Sequence, residues 1–143
     1  MLSNSSKYAL KAVLYLAVNS SVDQKIMAKD LSVAINVPQA YLSKLLQQLS
    51  RHHVVSSMKG PGGGFYLSAQ NCESTLLTIV DIIDGDNRLI SCVLSLNKCN
   101  AEHPCPMHGL VGETKTNFIT NLENTKVKDL VRDIREGKSF FPL

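Results

Sequence analysis

Apolar positions in the first third of the chain recur with a helical period. From Tyr8 onward Ala9, Ala12, Val13, Leu16 and Ala17 fall on one face, and Ser5 or Ser6 is placed to cap the helix. "SSVDQK" then reads as a turn and "IMAKDLSVAI" as a short second helix, with Met27, Leu31 and Ala34 on one side. Asn36-Val37-Pro38 ends it, because the ring of Pro38 pushes Val37 out of the α region. Pro38 also suits the first turn of a third helix, "PQAYLSKLLQQLSRHH". There Leu42, Leu45, Leu46 and Leu49 line one face, while Gln39, Ser43, Lys44, Gln47, Gln48 and Arg51 cover the other. His52 and His53 close the helix.

The pattern then changes. "VVSSM" and "FYLS" are β-branched or aromatic and extended, and "KGPGGG" between them is turn chemistry. A glycine loop that grips a nucleotide phosphate needs Lys-Ser or Lys-Thr after its last glycine and a helix behind it. Here Phe65-Tyr66-Leu67 follows, so the glycines are the tip of a hairpin. Helix, short helix, tight turn, polar-faced helix and hairpin together describe a winged helix-turn-helix. Any three-helix cluster with a polar outer face shares the first part of that pattern.

Beyond Cys72, "TLLTIVDIIDG" is an amphipathic helix with Leu76, Ile79, Val80 and Ile83 inward and Gly85 as its stop. Residues 86–105 have no periodicity. "PMHGLVGETKTNFITNL" resumes one through Met107, Leu110, Val111, Thr114, Phe118 and Leu122. A final helix, "KVKDLVRDIREG", uses Val127, Leu130, Val131 and Ile134 and ends near Gly137. The fold class is therefore mainly α with a small β-hairpin.

Composition sharpens this. The 143 residues are 44% hydrophobic, without an apolar run long enough to span a membrane; "YALKAVLYLAV" is too short and contains Lys11. A secretory leader is not evident either, so a cytoplasmic protein is expected. Net charge is +3, unevenly spread: through Asn71 seven basic residues face two acidic ones, a balance of +5, and the remainder is −2. A basic half on a modest total charge points to an anionic partner docked on one part of the molecule, unless it is only an uneven solvated surface.

Cys92, Cys99 and Cys105 fall within fourteen residues, with six and then five residues between them, and His108 stands three positions further on. In a reducing compartment such clustering favours metal binding over disulfides. Thiolates are the natural ligands of iron–sulfur clusters, and a Cys₃His set also serves zinc. His103 is a weaker candidate ligand, and Cys72, apart from the others, reads as a small buried hydrophobe.

"SKYALKAVLYLAV", "YLSKLLQQL" and "VVSSMKGPGGGFYLS", followed by a three-cysteine loop, resemble the Rrf2 family of bacterial regulators, and in particular its iron–sulfur branch of IscR, NsrR and RirA. The resemblance runs from residue 1 to about 124. It implies a winged-helix domain over residues 1–71 and a helical dimerisation region over 72–143 that carries a cluster-binding loop at 92–108. It further implies a homodimer that binds double-stranded DNA, regulates transcription, and senses iron–sulfur, redox or nitric-oxide status. The ligands implied are Cys92, Cys99, Cys105 and His108 around a 2Fe–2S cluster. The first cysteine gap is one residue longer than in the IscR branch, and a 4Fe–4S cluster, zinc or no metal stay open as alternatives.

The third helix would enter the major groove with Gln39, Tyr41, Ser43 and Lys44 meeting bases and phosphates. Lys59 and the tip residues Gly60, Pro61 and Gly62 would reach the minor groove or flanking phosphates. Tyr41 packing inside, or Lys44 merely solvated, are the competing readings. Beside this regulator stand two others: a cluster-free or zinc-stabilised DNA-binding member, and an electron-transfer or cluster-carrier protein. No enzymatic role is expected.

Overall fold

The computed structural model describes residues 2–96 and 100–141. Helix α1 (Asn4–Asn19) buries Ala9, Ala12, Val13, Leu16 and Ala17, the stripe its period predicts. Its cap is Ser3, whose Oγ accepts from the Ser6 amide at 3.0 Å; neither Ser5 nor Ser6 caps it. The reason is tertiary. Ser3 and Ser6 hydroxyls donate to the two carboxylate oxygens of Asp84, at 2.5 and 2.7 Å, which draws the start of the helix one turn earlier.

Helix α2 (Ala28–Ile35) buries Leu31 and Ile35, while Met27 lies outside as the exposed cap residue. The inward side is therefore rotated from the predicted Met27–Leu31–Ala34 set. Asn36 ends α2 in the left-handed conformation, and α3 (Gln39–Arg51) begins directly after Pro38. Pro38 has ψ near 131° and stands just outside the helix rather than in its first turn. Leu42, Leu45, Leu46 and Leu49 are all buried, as predicted. Full burial of a leucine stabilises by about 1.5–3 kcal/mol, so these four side chains largely decide which way α3 faces.

Strands β1 (Ser56–Met58) and β2 (Gly64–Tyr66) pair antiparallel, Ser57 opposite Phe65. They are shorter than the extended runs in the sequence, because Val54 and Val55 turn inward as core residues instead of pairing. Phe65 exchanges both backbone hydrogen bonds with Ile26, at 2.9 and 2.8 Å, so the segment before α2 acts as a third rail for the hairpin. Gly64 makes this possible: a Cβ there would stand 2.8 Å from the Ile26 carbonyl oxygen, and its φ is +146°.

A short 3₁₀ turn (Asn71–Glu73) leads to α4 (Leu76–Asp84), capped by Thr75 and stopped at Gly85. After the cysteine loop come α5 (His108–Asn124) and α6 (Val127–Arg135). Helices α4 and α6 pack on α1, and one hydrophobic cluster runs from Ala9 through Leu46 and Val80 to Val131. The second half of α5 joins that cluster through Phe118, Ile119 and Leu122, whereas Leu110 in its first turn is 73% exposed.

Candidate functional site

The polar side of α3 is turned outward. Lys44, Gln47, Gln48 and Arg51 are exposed opposite the four buried leucines, with Gln39 and Ser43 on its flank, Gln39 exposed and Ser43 half-buried. No acidic residue occurs in α3, so amides and cations alone meet an approaching anion. Tyr41 sits at the edge of this face. Its ring meets Tyr8 edge-on at 5.9 Å between centroids, and its hydroxyl pairs with the Ser5 hydroxyl, yet it stays 38% exposed. It therefore ties α3 to α1 while keeping one edge in solvent.

Lys59, Gly60, Pro61 and Gly62 are all exposed at the hairpin tip. Gly60 closes the tip, its carbonyl accepting from the Gly63 amide at 2.9 Å. Below the tip the hairpin is held by Asn71, a buried amide that nothing in the local sequence marks out. Asn71 Oδ1 accepts from the Ser68 amide (2.8 Å), the Ser68 hydroxyl (2.9 Å) and the Ser56 hydroxyl (2.8 Å). Its Nδ2 donates to the His53 carbonyl at 2.7 Å. One side chain thus joins the end of α3 to both sides of the hairpin.

The second site is the loop between α4 and α5. Leu89 and Cys92 are buried and anchor it. Cys92 lies beside Cys105, and both thiols line one cavity. Backbone N–H groups of Leu96 and Leu94 lie near the Cys92 sulfur. With the Cys105 thiol and the Lys115 ammonium, they hold the Cys92 thiol below the ordinary thiol range against the opposing effect of burial. A cavity of about 260 Å³ lies against Cys92, Cys105, His108, Val111 and Lys115. The His108 ring packs along Gly112, which leaves that side of the cavity open.

The structure thus brings Cys92, Cys105 and His108 to one cavity, and Cys99 lies outside the described residues. Among the described residues no three ligand side chains are close enough to hold a single ion. The donor set nevertheless suits a cluster: two neighbouring thiols, an imidazole on the same wall, and N–H groups and a cation close by, which favour a negatively charged sulfur site. Lys115, which also donates to the Ser91 carbonyl, is a residue that sequence reasoning missed. Its signal was the helical spacing His108, Gly112, Lys115. Cys72 is half-buried within the 3₁₀ turn and burial pushes its thiol up, in keeping with a packing role.

The model of the Rrf2 family, described as an iron-dependent transcriptional regulator, matches residues 2–133. A protein of Aquifex aeolicus (strain VF5) named as an HTH-type transcriptional regulator is 32% identical over 143 residues, covering 99% of this chain and 96% of the relative. The HTH-type transcriptional regulator IscR of Klebsiella pneumoniae (strain 342) is 27% identical over 124 residues, covering 85% of this chain and 75% of IscR. The solved structure of CymR, the global cysteine regulator of B. subtilis, superposes with a TM-score of 0.72 at 21% identity, covering 92% of this chain and 96% of that one. No helix among the described residues is long and apolar enough to cross a membrane.

Proposed function

This chain belongs to the Rrf2 family of transcriptional regulators, and we propose that it acts as a homodimeric DNA-binding sensor whose loop at 92–108 holds a 2Fe–2S cluster. It is a regulator of transcription and not an enzyme, in common with its named relatives. The observation that carries the sensor reading is the meeting of Cys92 and Cys105 on one cavity with His108 and Lys115. Cys92, Cys99, Cys105 and His108 would hold the cluster. When bound, the cluster supplies a charge and a coordination state that respond to oxidants, nitric oxide and iron supply.

The chain's own residues give such a change a route to DNA. The segment that leads from α4 into this loop begins directly after Asp84, whose carboxylate holds Ser3 and Ser6 at the start of α1. Ser5 and Tyr8 on the same helix hold Tyr41 of α3. A loop that pulls on α4 therefore acts on the element that orients the DNA-facing helix. The response is no larger than the differential stabilisation of the two DNA-binding states by the cluster.

The dimer reading rests on the apolar residues around that loop. Ile90, Val93, Leu94, Leu96 and Leu110 are about half or more exposed in a single chain. A second copy placing its α5 against this one covers them, and a two-fold pair then presents two α3 helices to half-sites about 34 Å apart. Residues 1–71 would be the DNA-binding part and 72–143 the dimerisation part.

Anaerobic purification followed by absorption, electron paramagnetic resonance and metal analysis tests the cluster. Two irons and two sulfides per chain are expected, and Cys92→Ser should lose them. Zinc as the only bound metal, or a Cys92→Ser protein with an unchanged spectrum, overturns the assignment.

A further inference from the structure

Between α3 and the hairpin runs a groove of about 440 Å³ whose two rims carry cations, Arg51 on the last turn of α3 and Lys59 beside the hairpin tip. Both are exposed, and among the described residues neither is paired with a carboxylate. Gln47 lines the helix side one turn before Arg51, and Ser57 lines the strand side. Ser50 lines the groove as well, and its buried hydroxyl has no hydrogen-bond partner among the described residues. Ser50 also lines the space beside Asn71, so it is the two unpaired cations on facing rims that single out this groove for an anion.

In a duplex the sugar-phosphate strand is what separates the major groove from the minor groove. A protein that lays a helix in the first and a hairpin tip toward the second must straddle one strand. Here the space it straddles with is this groove. We infer that the groove is a clamp for one backbone phosphate, held between the Arg51 guanidinium and the Lys59 ammonium, with Ser57 and Gln47 as neutral donors. The inference rests on the DNA-binding reading above. The arginine fork offers paired N–H donors to two phosphate oxygens, and the lysine adds a point charge from the opposite rim. The clamp reads no bases; it sets the depth of α3 in the major groove and so the register of every base contact.

Affinity for a short mixed-sequence duplex, followed by fluorescence anisotropy across a salt series, tests this. Arg51→Gln, Lys59→Gln and the double variant replace exposed side chains, and circular dichroism confirms that each stays folded. If both cations grip one phosphate, either single variant loses about tenfold, the double loses clearly less than the product of the two, and the salt slope of the double falls by about one. Losses that multiply, with a slope lower by about two, mean two separate phosphates and overturn the clamp. Unchanged affinity in Arg51→Gln also overturns it. Should the wild type bind no duplex, the DNA-binding reading falls, and inorganic phosphate decides the groove by itself. Saturable amide shifts at Ser57 and Gly64, absent in the double variant, then establish an anion site. No shifts remove it.

Discussion

Replacing Asn71 by Ala should loosen the hairpin without unfolding the protein. The Asn71 amide makes four side-chain hydrogen bonds between 2.7 and 2.9 Å, two with backbone groups (Ser68 N–H and the His53 carbonyl) and two with the Ser56 and Ser68 hydroxyls. The hydroxyls can rotate to other acceptors, so the lasting loss is at the two backbone groups. Leaving a buried polar group unmet costs about 1–3 kcal/mol. A neighbouring space of about 410 Å³ beside Ser56, Ser68 and Asn71 admits water, which places each loss toward the lower end. The sum is about 2–3 kcal/mol, well short of the 5–15 kcal/mol that holds a typical domain folded.

With a urea m value of about 2 kcal/mol/M the unfolding midpoint should fall by about 1–1.5 M at unchanged slope. Protein concentration must be held fixed, since dimerisation contributes to stability. Asn71→Asp provides an internal check on direction. The introduced carboxylate keeps an acceptor for Ser68 but faces the His53 carbonyl with no proton to donate. The folded state then favours the protonated carboxyl, so its pKa is raised on folding. Stability lost at neutral pH should return as the pH falls through that raised pKa, the opposite of an ordinary paired carboxylate. A midpoint for Asn71→Ala within about 0.25 M of wild type, or an Asn71→Asp deficit that deepens in acid, would refute the argument.

Gly64→Ala should detach the hairpin from the Ile26 rail, because its Cβ would lie 2.8 Å from the Ile26 carbonyl oxygen at a φ of +146°. Amide exchange at Ile26 and Phe65 should accelerate strongly, whereas Gly60→Ala, with open space around it at φ +90°, should cost only about 1 kcal/mol of local backbone strain. Equal exchange rates in the two variants would speak against the rail. Leu110→Asp, on a residue 73% exposed in the single chain, should leave the fold intact yet give monomers by light scattering and weak DNA affinity. A dimer of undiminished stability in that variant would move the interface elsewhere.

Much of the architecture is written in local spacing. The stripe of α1, the four leucines of α3 and the stop at Gly85 are encoded by residues one or two turns apart, and so is the hairpin that turns through the Lys59–Gly64 run. The family could be named from the same short stretches. The basic half of the chain and the clustered cysteines likewise needed no coordinates to be noticed. Positions set by distant partners were not legible. Ser3 caps α1 because Asp84, 78 and 81 positions from the two serines, lies at its start. Ile35 faces inward and Met27 outward because α2 is rotated by its packing against α1 and α3, a choice that a periodic pattern leaves free by a fraction of a turn. Asn71 is an unremarkable amide in sequence and the tie of the hairpin in space. The meeting of Cys92 with Cys105, and of both with Lys115 on another element, is a property of how an aperiodic loop folds back on α5. Local periodicity constrains which face of an element is apolar. Burial and hydrogen bonding between segments far apart in the chain decide which polar groups meet, and those meetings make the sites.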